Sequence, residues 1–401
     1  MYVSLISVLT PLKTSHEREG YPIQRSEKTF SKNFASSFLC NFCVISNLVI
    51  FLYFSRYLEM LGATSAQIGF YMGVFALGSV VVRPWVGGAV DRYGRKRLIN
   101  FGLVLMLAAT ASYLLLTRLN WLIPVVRIIH GIGFGSYITG IFTVVADDAP
   151  STHRAKVLGV FGLSGMSAFA LVPMLTEPII DKLGFRAAFV VALCFLLVSL
   201  SMARRLKTIG PARLEFPPAS FITVARQIDI LIPLSALFVF CTGAGALTTF
   251  ITVHLGVMGI SVAYFFVASS CAGAVVRLFF GHLADVYGRR RVAMPAFLFG
   301  SLALLGVGVF HLRWGLSLSG LLWGTGIGFA VPAVGASVVD RVKPEDRGKG
   351  LALFTASFDL GVMAGSFAYG GLADAIGYSR MYLVASAVVL ISAGIARFFR
   401  N

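Results

Sequence analysis

The sequence predicts an all-α membrane protein: twelve transmembrane helices arranged as two pseudo-symmetric six-helix bundles. Three observations predict it. Apolar residues make up 57% of the 401-residue chain and charged residues only 13%, where a soluble domain carries roughly 25% charged residues. The apolar residues fall into twelve blocks, at about 35–58, 66–90, 98–117, 121–145, 156–177, 185–204, 229–254, 260–282, 292–312, 315–339, 349–371 and 379–398, and a helix needs about 20 such residues to cross a bilayer. Finally, the segment GGAVDRYGRKR (Gly87–Arg97) recurs as GHLADVYGRRR (Gly281–Arg291), 194 residues later. Each copy follows the second long apolar block of its half, which marks a duplicated unit.

The basic residues orient the helices. The net charge is +17, with 34 Lys and Arg. With the N-terminus placed in the cytoplasm, 25 of them fall on cytoplasmic loops and tails, and six (Arg56, Arg118, Lys182, Arg186, Arg313 and Arg380) fall on the far side. Arg83, Arg127 and Arg277 fall within the membrane. That asymmetry is the positive-inside rule with both termini cytoplasmic. The basic character is therefore topological, and it excludes a nucleic-acid partner. The lipid bilayer is the expected surroundings and the cell's inner membrane the expected location.

The five cysteines all lie in apolar blocks. Cys40 and Cys43 spell CxxC, but on a helix in hydrocarbon they read as packing residues rather than a redox pair or metal site. No metal cluster, cofactor motif or catalytic constellation is legible, and the expected cofactor is none. No Walker motif is present, so ATP is not the expected energy source.

The predicted organisation is a disordered cytoplasmic tail at 1–34, a first bundle at 35–205, a cytoplasmic linker at 206–228 and a second bundle at 229–401. The linker is rich in Pro and basic residues (Pro211, Pro217, Pro218), which suits a connecting segment. Further pairs support the duplication: Arg83 with Arg277 and Asp91 with Asp285, both 194 apart, Gly131-Ile-Gly-Phe with Gly326-Ile-Gly-Phe, 195 apart, and Arg154-Ala-Lys with Arg347-Gly-Lys, 193 apart. A finer repeat, D-x-x-G, follows the second, fifth, eighth and eleventh blocks at Asp91/Gly94, Asp181/Gly184, Asp285/Gly288 and Asp374/Gly377. Each half thus reads as two three-helix units of opposite topology.

On these motifs the chain resembles a twelve-span member of the major facilitator superfamily over about residues 35–400. The loop between the second and third blocks matches that family's G-x-x-x-D-R-x-G-R-K-x motif at Gly87, Asp91, Arg92, Gly94, Arg95, Lys96 and Arg97. Within the family the sequence is similar to bacterial drug and sugar efflux permeases. The resemblance implies that Asp91 caps a helix N-terminus in the other half and pairs with nearby Arg. That contact would latch the cytoplasmic side, with Gly87, Arg92, Gly94, Arg95 and Arg97 as its companions and Asp285, Gly288 and Arg289 as the second copy. The alternative for the basic residues is a topology signal alone.

Four further sets of residues are candidates for mechanism. Arg83 and Arg277 lie eight residues before their Asp, two turns deeper, and a buried cation needs a partner. Asp147 or Asp148 in the first half and Asp340 in the second are the expected partners in a charge network, snorkelling being the alternative. Arg127 sits in RIIHGIGFG, and Arg127, Gly131 and Gly133 match the R-x-x-x-G-x-G pattern of the family's proton antiporters. Its alternative is an interfacial anchor. Asp359 lies about ten residues into the eleventh block, about 15 Å deep in a core of roughly 30 Å. A carboxylate there must be protonated, paired or facing water, which makes Asp359 the expected proton-coupling site, with helix packing as the alternative. Asn41, Ser46, Asn47, Thr242, Thr248, Thr249 and Thr252 on the first and seventh blocks are the expected polar contacts of a substrate tunnel. One departure stands out: the fifth block has Gly159, Gly162 and Gly165 but not the Gly-Pro pair of the family's antiporters, since Pro173 lies farther along.

The function expected from this reading is a secondary active transporter working by alternating access. It would export a small organic molecule against protons, as a monomer. A facilitator or proton-symport importer is the second reading, and a non-transporting membrane sensor on the same fold is the third. The charges retained in both motif loops weigh against the third.

Overall fold

The computed structural model describes residues 31–150, 154–207, 227–343 and 346–399, entirely as helices and short connections. The predicted tail up to residue 30 and most of the predicted linker lie outside the described residues. The first helix begins at Lys32, inside the stretch expected to be tail, because Ser31 Oγ accepts from Phe34 N (3.0 Å) and caps it.

Twelve spans follow. Span 1 is Lys32–Ile50, continued through a 3-10 turn at Phe51–Tyr53 into Phe54–Met60. Spans 2, 3 and 4 are Ser65–Tyr93, Arg95–Tyr113 and Leu122–Asp148. Spans 5 and 6 form the continuous stretch Arg154–Arg205, broken at Gly184. Span 7 is Ile228–Val257. Span 8 is Ala263–Val275, prolonged by a five-residue π-helical turn, Val276–Phe280, and the short helix Leu283–Val286. Spans 9 to 12 are Arg289–Val309, Arg313–Val339, Arg347–Ile376 and Tyr378–Ile395. Every span but span 3 lies in a stretch with the length and hydropathy of a membrane-crossing helix, spans 5 and 6 together in Lys156–Arg205. Span 3 falls short through its basic first turn, Arg95-Lys96-Arg97.

The four D-x-x-G motifs are four copies of one backbone joint. Gly94, Gly184, Gly288 and Gly377 have φ of 85°, 80°, 90° and 81° and ψ of 153°, 173°, 148° and 161°. That region is essentially closed to residues with a Cβ. A single glycine reverses the chain, and the next helix starts at the following residue. Antiparallel neighbours are thereby joined with no loop to solvate.

Small residues set how closely the spans approach. A Cβ on Gly131 would lie 1.9 Å from Phe75 O of span 2, and one on Gly133 would lie 2.8 Å from Gly102 O of span 3. In the second half a Cβ on Gly324 would lie 2.0 Å from Ser269 O of span 8, and one on Gly326 would lie 2.8 Å from Ala296 O of span 9. The structural equivalents are therefore Gly131 with Gly324 and Gly133 with Gly326. The literal match of the two GIGF strings, 195 apart, is displaced by two residues. The true register is 193, and in it G-x-G-x-G recurs at 131–135 and 324–328. The letters misled because any alternate-glycine string matches itself when slid by two.

Within the first half span 2 packs on span 4 and span 3 on span 4, while within the second span 8 packs on span 10 and span 9 on span 10. The halves meet through spans 2 and 11, spans 5 and 8, and spans 1 and 7.

This packing sets a test. Gly131→Ala and Gly324→Ala should force spans apart, an overpacking cost of about 1–3 kcal/mol, and lower the melting temperature of the detergent-purified protein. Gly371→Ala, with nothing within 4 Å of the added Cβ, should melt close to the parent. Equal melting of all three variants would rule out helix spacing as the role of these glycines.

Candidate functional site at the joint between the halves

The halves are fastened at two levels. The deeper level is an ion pair. Asp359 of span 11 lies 12 residues beyond Arg347, about 18 Å along the helix. Its Oδ2 accepts from Arg83 Nη2 (2.5 Å) and Ser79 Oγ (2.9 Å), both on span 2. The two charged side chains are 13% and 15% exposed. At that burial each charge needs the other, because an unpaired ion in an apolar interior costs several kcal/mol.

Arg83 therefore takes its partner from the opposite half, and the expected pairing with Asp147 or Asp148 does not occur. Asp147 accepts instead from Arg95 Nε (2.7 Å), and Asp148 accepts from Ser31 Oγ (2.5 Å). The second copy repeats the first of these: Asp340 accepts from Arg289 Nε (3.3 Å) rather than from Arg277. A conserved-looking offset thus joins the wrong residues in both halves. The carboxylates at the ends of spans 4 and 10 meet the first-turn Arg of spans 3 and 9, while Arg83 and Arg277 lie deeper, facing the other bundle.

The second level lies at the face carrying Gly184 and Gly377. There, acidic side chains of one half cap helix N-termini of the other. Asp374 of span 11 accepts from Ser65 N (2.7 Å) and Ala66 N (2.9 Å), the first turn of span 2. Glu177 of span 5 accepts from Val262 N (2.8 Å), from Ser261 Oγ ahead of span 8 and from Tyr53 OH (3.2 Å). Free N–H groups and the helix dipole favour a carboxylate at such a position. Packing closes the same face. A Cβ on Gly69 would meet Ser366 O at 2.2 Å, Phe70 lies 5.8 Å from Phe367, Phe169 lies 5.6 Å from Phe266, and Ser55 Oγ bonds Thr252 Oγ1 (2.7 Å). Sequence reasoning missed Glu177 and Ser79. Glu177 has no acidic equivalent in the other copy, where Gly370 stands 193 residues on, and Ser79 is one hydroxyl among many.

At the opposite, basic face no such cap is engaged among the described residues. Asp285 bonds only Arg289 of its own turn, and its side chain is 66% exposed. The side chains of Asp91 and Arg92, and Gly87 beside them, lie outside the described residues. Lys96 Nζ donates to Arg204 O (2.7 Å) and Leu206 O (3.1 Å), within the first half. A cleft of about 890 Å³ at this face is lined by Asp229, Asp285, Arg289, Asp340 and Arg341 among others, all of the second half. The structure is thus closed at the Gly184/Gly377 face, while at the basic face no carboxylate cap across the joint is engaged among the described residues.

The remaining candidates sit inside the bundles. Arg127 is 4% exposed. It donates to Tyr71 O (3.1 Å) and Met72 O (3.2 Å) and lies over the rings of Phe54 (5.6 Å) and Phe75 (5.1 Å). It holds span 4 to span 2, and it is not the Arg that meets Asp359. Asn47 Nδ2 donates to Thr110 Oγ1 (3.2 Å) and Ala192 O (3.3 Å) and its Oδ1 accepts from His130 Nε2 (3.1 Å), tying spans 1, 3, 4 and 6. Asn41 Nδ2 donates to Ser164 Oγ (2.7 Å). Both asparagines are almost fully buried, so neither faces a tunnel in this conformation. Ser46 bonds Phe42 O and Thr248 bonds Ala244 O within their own helices, while Thr242 and Thr249 bond Tyr369 and Ser366 of span 11. Amphipathic position alone could not separate such residues from tunnel-lining ones. Cys40 packs on Ser199 (3.0 Å), and both Cys40 and Cys43 are free thiols.

Two six-helix bundles of apolar spans meeting at a joint fastened at one face describe a membrane transporter. The Major Facilitator Superfamily model matches residues 34–276 and 235–401, and the chain belongs to that family. An uncharacterized MFS-type transporter of Methanocaldococcus jannaschii is 26% identical over 358 residues, covering 86% of this chain and 91% of that protein. The staphylopine export protein of Staphylococcus aureus is 24% identical over 353 residues, covering 82% and 86%. A crystal structure of a point variant of the nucleoside transporter NupG superposes with a TM-score of 0.78 at 12% identity, covering 92% of this chain and 100% of that one.

The ion pair makes a specific expectation. Arg83→Ala and Asp359→Ala should each destabilise the purified protein by about 3–5 kcal/mol, because each strands a buried charge. The double variant should lose much less than the sum. Strictly additive losses in the double-mutant cycle would mean that the two residues are not energetically coupled.

Proposed function

We propose that this protein is a proton-coupled exporter of a small organic molecule, working by alternating access in the inner membrane with both termini cytoplasmic. The observation that carries the reading is the Arg83–Asp359 pair, because the only acidic residue at that depth in the second half fastens span 11 to span 2 of the first. A proton on Asp359 would cancel its charge and weaken the bond across the joint. The group that binds the proton would then also hold the halves, and proton binding and rocking would be one event. Ser79, also on Asp359, would keep the neutral carboxyl hydrogen-bonded.

The positive-inside distribution supports a cytoplasmic basic face, which makes this conformation inward-facing. In it Asp374 and Glu177 fasten the far face. In the alternate conformation Asp91 and Asp285, the same motif element on the basic face, would take over by capping spans 11 and 5. The exposure of Asp285 here fits a latch that is released. Export rather than import is favoured by the relative whose named activity is export of staphylopine.

Asp359→Asn in proteoliposomes with an imposed pH gradient should lose pH-driven transport while retaining substrate exchange. Full pH-driven transport in that variant would place the proton elsewhere. Separately, Asp91→Asn should slow transport at matched membrane abundance, and an unchanged rate would refute the latch.

A further inference from the structure

Arg83 and Arg277 occupy the same place in the two copies, 194 residues apart, but among the described residues only Arg83 has an acceptor. The acceptor of Arg83 is the Asp359 carboxylate, which also accepts from Ser79 Oγ. In the other copy Gly273 stands where Ser79 would be and Met166 where Asp359 would be. The two replacements touch: a Cβ on Gly273 would lie 2.7 Å from Met166 Cε. Neither glycine nor a thioether can neutralise a guanidinium. Arg277 makes no ion pair or hydrogen bond through its side chain among the described residues, and its Nε is buried without a partner.

The surrounding backbone is shaped to hold that cation. Arg277 lies in the π-helical turn Val276–Phe280, and such turns widen a helix and recur at functional sites. Across the joint, span 5 presents Gly162, where a Cβ would come 2.6 Å from Arg277 Nη1. One turn nearer the basic face, Gly159 has nothing within 4 Å of its Cβ position. On the other side Met166 lies on Gly273, and Phe169 packs against Phe266. The guanidinium thus has open space at the Gly159 Cβ position on its basic-face side and apolar side chains on its other side.

We infer that Arg277 is the docking point for the anionic group of the transported molecule, an amphipathic organic anion bearing a carboxylate. The planar N–H fork suits a carboxylate, which can accept two of its donors at once. The thioether and rings beside it suit an apolar body. This rests on the transporter reading for the word transported, but the binding claim stands on its own geometry. It also explains the break in symmetry: in one copy the acid belongs to the protein, and in the other it is left to the ligand.

Calorimetric titration of the lipid-free, detergent-purified protein tests this without requiring transport. The probes are benzoate, 2-naphthoate and decanoate, each beside its neutral amide. The parent should bind at least one carboxylate roughly tenfold or more tighter than its amide, the scale of a charge-assisted hydrogen bond. Arg277→Gln should abolish the preference, Arg277→Lys should keep part of it, and Gly162→Ala should reduce it by crowding Nη1. Arg118→Gln, on the far face, should leave it intact. Melting curves confirm that each variant is folded, and Gly162→Ala with Arg277→Lys carries the test if Arg277→Gln does not fold. No carboxylate preference in any pair, or a preference that survives Arg277→Gln, overturns the inference. So does binding of phosphatidylglycerol alone, which would assign the guanidinium to a lipid headgroup. Anion exchange in vesicles that is indifferent to Arg277→Gln would sink the inference and leave the transporter reading standing. Anion binding without any transport would do the reverse.

Discussion

A charge within a bundle of apolar helices must have a partner, and the joint between the two halves is organised around that constraint. Arg83 and Asp359 come from different halves, so neither half can satisfy its own charge alone. The same constraint governs Arg127, met by main-chain carbonyls and two aromatic faces with no acid. The three intramembrane arginines thus have three different environments. Arg127 is held inside one bundle by carbonyls and rings, its charge uncancelled. Arg83 is neutralised across the joint. Arg277 has no side-chain acceptor among the described residues. Only the second and third of these can change when the halves move.

Duplication supplied the frame, and its departures from symmetry mark where chemistry is concentrated. The four reversing glycines keep one backbone conformation in all copies, because no other residue could make that joint. The pairs Arg95–Asp147 and Arg289–Asp340 are likewise copied. The symmetry fails at Asp359 and Met166, at Ser79 and Gly273, and at Glu177 and Gly370. Each is a polar group on one side and an apolar or absent side chain on the other, and each lies where one half faces the other. Residues serving the bundle interior are held by packing in both halves, while residues at the joint are free to specialise.

Much of the fold was legible in the sequence because bilayer thickness, glycine geometry and loop charge act on short segments. Twelve blocks, four D-x-x-G turns and the basic face are all local signals. The charge pairing was not legible, because it depends on which helix faces which. Arg83 was matched to carboxylates near it along the chain, whereas its partner lies 276 residues away. Elimination narrows the choice: Asp359 is the one acid at that depth, and three arginines compete for it. Deciding among them takes the packing of span 2 on span 11. Asn47 bonds within its own bundle in this conformation, and the sequence could not foresee it for a related reason. A polar residue on a span that borders the cavity still has a face turned to its own bundle, and periodicity cannot tell the two faces apart.

The closed face explains how a structure of this kind can move without unfolding. Asp374 and Glu177 hold the halves together through two main-chain N–H groups and one, respectively, at helix N-termini. Those donors are unsatisfied by the helix itself and can bond water equally well when the face separates. The packing beside them is of glycine on backbone and ring on ring, surfaces that part without stranding a polar group. The ion pair is different, since it lies deeper and cannot be replaced by bulk water so readily. In the proposed mechanism it is therefore the step that needs a chemical event, a proton on Asp359, while the outer contacts follow. The halves would be released at the deep level by protonation and at the closed face by hydration.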